Sequence, residues 1–376
     1  MEAWYDGRLE EQARAYDRSQ ALLFVLRFSL MFGLAVAFWM SGFSRLLADG
    51  LRDWFTFPFS WPLMCVAFTA LSVFGYEVIL FPLSVLADYS LEKAHDRLEA
   101  EFGEWLRGFL VTLLLEIGIV TAGFTGLYVL MGLLPVFWWV AAAGAYAVLV
   151  VGLGGQGPAL LLPRVRPPVQ AENAPLEEEL RRIGLEAGLE IESLGWWNFE
   201  HQDEIEPVVL AGTGRKRRAI FSERAWQELG LREQVFLAAR QMAWHRNRAG
   251  WVVNILQVGL AGGVFFGASW LTNWAARARG LAGAADLEAF PFLVVSLFSL
   301  AAVAGVVAHA VVRRMELKAD GFALRHAGGS EALRACLKNE FDHAPFAVDA
   351  SAWQVLLLHR MPTAAQRLKQ AGGSGA

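Results

Sequence analysis

Arg27, Glu77 and Glu116 each lie inside a long apolar run, where an ionised side chain is expensive and has to face a partner or water. Simple interhelical pairing is the structural reading of such residues. A second group, Arg215, Lys216, Arg217 and Arg218, places four positive charges side by side. Such a run either contacts anionic lipid headgroups, at about 1 kcal/mol per charge, or forms the solvated tip of a hairpin. Nucleic acid is a poor partner for an apolar chain with a net charge of -4. The two cysteines, Cys65 in an apolar run and Cys336 near the C-terminus, support neither a disulfide framework nor a cysteine metal site. His309 reads as a polar group facing other helices rather than as a metal ligand.

The elements that must position these residues follow from hydropathy. Of 376 residues 55% are hydrophobic and only 19% charged, and the mean hydropathy of +0.37 is above that of soluble chains of this length. The 15 Trp and 26 Phe suit a lipid environment, with amphipathic rings at the interface. A helix needs about 20 apolar residues to cross the hydrocarbon core. Six runs reach that length, at 21–43, 62–86, 108–132, 136–161, 251–272 and 290–312. The first is too long for a cleaved signal and follows a charged stretch, so it is expected to be retained.

Six spans place residues 1–20, 87–107, 162–250 and 313–376 on one side. All Lys and Arg residues except Arg27, Arg45, Arg52, Arg277 and Arg279 fall in those four regions. The positive-inside rule makes that side, with both termini, cytoplasmic. The chain therefore divides into a four-span N-terminal membrane region (1–161), a soluble segment (162–250), a two-span hairpin (251–312) and a C-terminal helical part (313–376).

The soluble segment opens with LPRVRPPVQAENAP, whose prolines disfavour regular structure, and continues into an amphipathic helix, PLEEELRRIGLEAG, with acids in its first turn. EPVVLAG and RRAIFS read as two short strands around TGRK, with Gly214 allowing the turn. SERAWQEL and REQVFLAARQMAWHRNRAG read as helices, the second leading into the fifth span. The tail AGGSGA reads as a flexible end.

Strand hairpin, helix, two spans and a helix bearing MELKADGFAL resemble the integral-membrane zinc metallopeptidases of the CAAX prenyl protease 1 type. In that family a helix with H-E-x-x-H is followed after two spans by one with E-x-x-x-D. YSLEKAHDRLEAEFGEWL, PLEEELRRI, VVLAGTGRKRRAIFSERAWQEL and MPTAAQRL resemble further segments of the family, so the likeness extends over most of the chain. It implies a mainly α, polytopic membrane bundle carrying a small α+β metallopeptidase-like soluble domain. It also implies a polar chamber between the helices, the alternative to pairing for Arg27, Glu77 and Glu116, and a strand edge in 206–222 that holds substrate as an added strand.

The decisive helix departs from the family. H-E-x-x-H falls on Arg240, Gln241, Met242, Ala243 and Trp244. By the resemblance, Glu316 is the retained third zinc ligand, Asp320 its supporting acid, and Pro362 and Arg367 survive from a last motif in which Met361 replaces His. Arginine stays protonated and Trp offers only an N–H donor, so two of three ligands are gone, and Gln241 cannot act as a base. His245 is one residue, about 100° of helix turn, away from the face of Arg240 and Trp244. No metal is expected to bind. A buried Glu316 without a cation is costly, which predicts an ion pair with Arg240. The leading expectation is a catalytically inactive CAAX-protease-like membrane protein that binds a peptide or membrane-protein segment. The alternatives are an active metalloendopeptidase with an unusual site and a non-enzymatic membrane scaffold.

Overall fold

The computed structural model of the chain describes residues 4–57, 60–95, 97–154, 167–197, 206–212 and 214–373. Two compact units emerge, one from Tyr16–Tyr146 and Gly259–Ala304, the other from Met1–Ala15, Ala147–Val258 and Gly305–Ala376.

Long apolar helices build the first unit. They are α1 (Gly7–Met40), α2 (Phe43–Trp54), α3 (Trp61–Ser84, prolonged by a π turn, Val85–Ser90, and a last turn, Leu91–Ala94), α4 (Phe102–Leu133) and α5 (Trp138–Leu149). Further along the chain α9 (Ala249–Ala278) and α10 (Phe290–His326) add their apolar parts; the elements between α5 and α9 belong to the second unit. Five of these helices are long and apolar enough to cross a membrane. The fourth of the six expected spans appears as a shorter apolar helix, Trp138–Gly152, and its residues 155–161 lie outside the described residues.

Only 6% of the apolar window of α1 and of α4 is buried. Leu22, Phe24, Leu114, Leu115 and Ile119 stand exposed on them. In water such patches would associate, whereas in a bilayer they meet their solvent. The inward core of this unit gathers Met64, Cys65, Phe68, Tyr128, Met131, Trp138, Phe290 and Leu293. Both cysteines of the chain are buried and free.

The second unit packs a four-stranded sheet against helices. Its strands are β1 (Val169–Ala171), β2 (Glu190–Trp197), β3 (Val208–Ala211) and β4 (Lys216–Ser222). They run in the order β1-β2-β4-β3, with β2 and β4 parallel and the other pairs antiparallel. Helix α6 (Ala174–Ala187) is the amphipathic helix expected from PLEEELRRI. The Asn173 side chain accepts from the Leu176 N–H at 3.2 Å, and Gly188 ends the helix in a left-handed conformation. Leu176, Leu180 and Ile183 on its inner face are fully buried.

The β3–β4 hairpin turns on glycines, Gly214 at φ +64° as anticipated and also Gly212 at φ +123°. A Cβ on Gly212 would stand 2.7 Å from the Lys216 carbonyl oxygen, so both backbone and space require glycine there. The basic run of this hairpin is less solvated than a free tip would be. Arg217 is buried and donates to the Gly212 carbonyl, and Lys216 pairs with Glu192 at 3.0 Å, leaving Arg215 and Arg218 outward.

Candidate functional site

Helix α8 (Leu231–Arg246) carries Arg240, Gln241 and Trp244. It follows a short helix, α7 (Glu223–Gln227), capped by Ser222, whose hydroxyl accepts from the Ala225 N–H at 3.2 Å. The buried Gln234 amide then donates to the carbonyls of Ala225 and Trp226 at 3.1 and 3.0 Å, fixing the start of α8 against α7. Val235, Phe236, Ala238, Ala239, Met242 and Ala243 are buried on its inner face. Arg240 and Trp244, four residues apart, share another face.

Glu316 and Asp320 likewise share a face of α10, 5% and 0% exposed. Arg240 reaches both. Its Nη2 donates to Glu316 Oε2, and its Nε lies 2.9 Å from Asp320 Oδ1. The second contact is an ion pair whose angle does not make a hydrogen bond, since Nε has no hydrogen-bond acceptor among the described residues. Burial works against the Arg240 charge, but Asp320 and Glu316 outweigh it and hold the guanidinium above its ordinary range. The ion pair expected between Arg240 and Glu316 is present, and its extension to Asp320 was not foreseen.

Arg367 completes the cluster. Its Nε and Nη2 donate to the two oxygens of Asp320 at 2.8 and 3.0 Å, a bidentate pair that is almost wholly buried. The local sequence explains how it gets there. Thr363 and Gln366 cap each other, side chain to backbone, at 3.2 and 3.3 Å, and this starts α13 (Ala364–Gly373) with Arg367 in its first turn. Gln370 on the same helix donates to the Leu317 carbonyl of α10 at 2.8 Å. Two guanidinium groups thus face two carboxylates, and the cluster balances its own charge.

The remaining sequence candidates lie around this cluster. Trp244 lies near Glu316, and its indole favours the charged carboxylate. Gln241 donates to Glu206 at 3.3 Å, and the exposed Glu206 carboxylate also bears electrostatically on Arg240. Met361 is exposed and Pro362 buried just before α13. The Nδ1 of His309 is buried with no hydrogen-bond partner among the described residues. Strand β3 is an edge of the sheet. Ser222 donates to the Pro207 carbonyl at 2.9 Å, and in that register Val208 and Leu210 turn their backbone N–H and C=O away from β4.

Burial, with the charge of Arg217 second, pushes the His245 imidazole down to about 4. Its neutral form is therefore favoured by the fold, and the unfolded chain binds more protons between pH 6.5 and 4. Stability contributed by this residue is present near pH 7 and falls as pH drops through that window, by about 3 kcal/mol once below it. Denaturant unfolding of the full chain in nonionic detergent at pH 7 and pH 4.5 should show a smaller loss for His245→Asn than for the natural chain. An equal loss in both would assign the acid sensitivity to other groups.

The residues at the cluster do not fit a zinc ion. Arg240 and Trp244 present a guanidinium and an indole, both purely donors, and the guanidinium already occupies the two carboxylates. Among the described residues no group of three His, Cys, Asp or Glu side chains is placed to hold a metal.

Among solved structures, the crystal structure of S. mikatae Ste24p matches with a TM-score of 0.72, covering 98% of this chain and 90% of that one at 14% sequence identity. Likeness at that identity establishes a common fold. No protein-family model matches the chain, and no curated protein does. The fold is the one the sequence resemblance implied, that of a polytopic CAAX-protease-like membrane protein with a small sheet-bearing part.

Proposed function

We propose that this chain is a catalytically inactive, CAAX-protease-like membrane protein that binds an extended peptide or membrane-protein segment along β3. The observation that carries the first half is Arg240 lying between Glu316 and Asp320, where it neutralises the acids that a metal would otherwise need. The edge position of β3 among the described residues supports the second half. Val208 and Leu210 offer outward backbone donors and acceptors for an added strand, and Glu206, two residues before β3, accepts from Gln241 of α8. Binding by backbone pairing needs neither metal nor base, so it survives the loss of catalysis. On this reading the sheet-bearing unit and both termini are cytoplasmic, as the charge asymmetry implies.

Metal analysis and a peptidase assay on the purified full chain test the proposal together. Zinc well below one per chain and no cleavage of a prenylated or unmodified peptide are the expected results. Stoichiometric zinc, with cleavage abolished by a chelator and by Glu316→Ala, overturns the inactive reading. Binding is read separately, by photo-crosslinking from a probe placed at Val209. Capture of a peptide whose N-methylation at alternate amides abolishes the crosslink supports strand addition, and indifference to N-methylation removes it.

A further inference from the structure

The membrane unit holds a cavity of about 500 Å³, a size typical of small-molecule sites. Its walls are almost entirely apolar, from α1 through α4 and the start of α10, and Phe38, Phe43, Phe124, Phe290 and Phe298 supply five aromatic rings. Two carboxylates break this lining, Glu77 from α3 and Glu116 from α4.

Glu77 is only 4% exposed, yet among the described residues its carboxylate has neither a hydrogen bond nor an ion pair. The other charges that bear on it are Glu116, Asp88 and Arg27. Arg27 makes no ion pair with it among the described residues and stands near Tyr76. One guanidinium thus stands against three carboxyl groups; Glu77 is buried at the cavity wall, Glu116 lines the cavity while exposed, and Asp88 lies outside the lining, so negative charge is in excess around Glu77. An unpaired carboxylate in such a place costs several kcal/mol unless a cation joins it or it takes up a proton.

We propose that this cavity binds an amphiphile with a hydrocarbon tail and an organic ammonium head, the head between Glu77 and Glu116 and the tail against the phenylalanines. Charge complementarity selects a cation over an alcohol or a carboxylic acid. The aromatic rings favour an alkylated ammonium over a metal ion, because its diffuse charge is attracted to ring faces and its methyl groups are apolar. The site is independent of Arg240, Glu316 and β3, so it stands or falls apart from the peptide-binding proposal.

The test uses the full chain in nonionic detergent and three twelve-carbon probes below their critical micelle concentrations: dodecyltrimethylammonium, dodecanol and dodecanoate. The ammonium should raise the Tm and bind saturably by calorimetry, while the other two do neither. Glu77→Gln with Glu116→Gln should weaken ammonium binding at least tenfold. Gly75 lines the same cavity, and a Cβ there would meet nothing within 4 Å, so Gly75→Leu fills the space without a clash near the backbone. That variant should keep the ligand-free Tm and lose ammonium binding, which decides the matter if the double carboxylate variant does not fold. Equal effects of dodecanol or dodecanoate, or undiminished ammonium binding in Gly75→Leu, overturn the proposal.

Discussion

Replacing Arg240 by Met lowers the stability of the chain by about 3–5 kcal/mol, the cost of leaving buried charge without its partner. The side chain is of similar length and apolar, so packing along α8 changes little while the guanidinium is lost. Among the described residues Glu316 then loses its one ion-pair partner, and Asp320 keeps Arg367 but loses its second positive neighbour. Denaturant unfolding followed by tryptophan fluorescence reads the effect. Adding Glu316→Gln to Arg240→Met should recover a good part of the loss, because an amide in that position carries no charge to desolvate. A single variant within 1 kcal/mol of the natural chain, against an expected cost of about 3 kcal/mol or more, would mean that Glu316 is protonated or hydrated and that the ion pair is not what holds the cluster together.

The second large effect is a gain. Arg240→His, Gln241→Glu and Trp244→His together place two imidazoles at i and i+4 on α8, opposite Glu316 on α10, and remove the guanidinium that now occupies the acid. Zinc is expected at about one per chain after dialysis, against almost none in the natural protein, since three neutral or anionic donors from two packed helices make a sufficient set. Adding Glu316→Ala to the triple variant should remove most of that zinc. Metal retained without Glu316 would show that the two helices do not present a common site, and the reading of Arg240 as a substitute for a lost ion would fail.

The membrane part of this architecture was legible because lipid imposes a simple demand, a run of apolar residues long enough to cross. The runs at 62–86, 108–132, 251–272 and 290–312 coincide with α3, α4, α9 and α10 for that reason. The hairpin was legible from its glycine and its two β-rich runs. Strand β2 was not, because Glu190, Glu192 and Ser193 interrupt its apolar pattern and its parallel partner β4 lies beyond the intervening β3.

At the site, the Arg240–Glu316 pair followed from a chemical argument, that a buried acid requires a cation. The second carboxylate contact did not, since nothing in the spacing of Glu316 and Asp320 says how far a guanidinium on another helix will reach. The pairing of Asp320 with Arg367 has one local signal, the Thr363-x-x-Gln366 capping pattern that fixes where α13 starts. The basic run was misjudged at one position, because strand alternation turns Arg217 inward while its neighbours point out.

The bidentate hold of Arg367 on Asp320, residues 47 apart, also sets an order of events during synthesis. While the ribosome is still adding the residues after α10, Asp320 has no Arg367 to meet, and the charge cluster stands incomplete at the end of a helix whose preceding stretch belongs in the bilayer. The cluster closes only when α13 has left the exit tunnel, so a nascent protein halted before that point presents an unfinished surface to quality control.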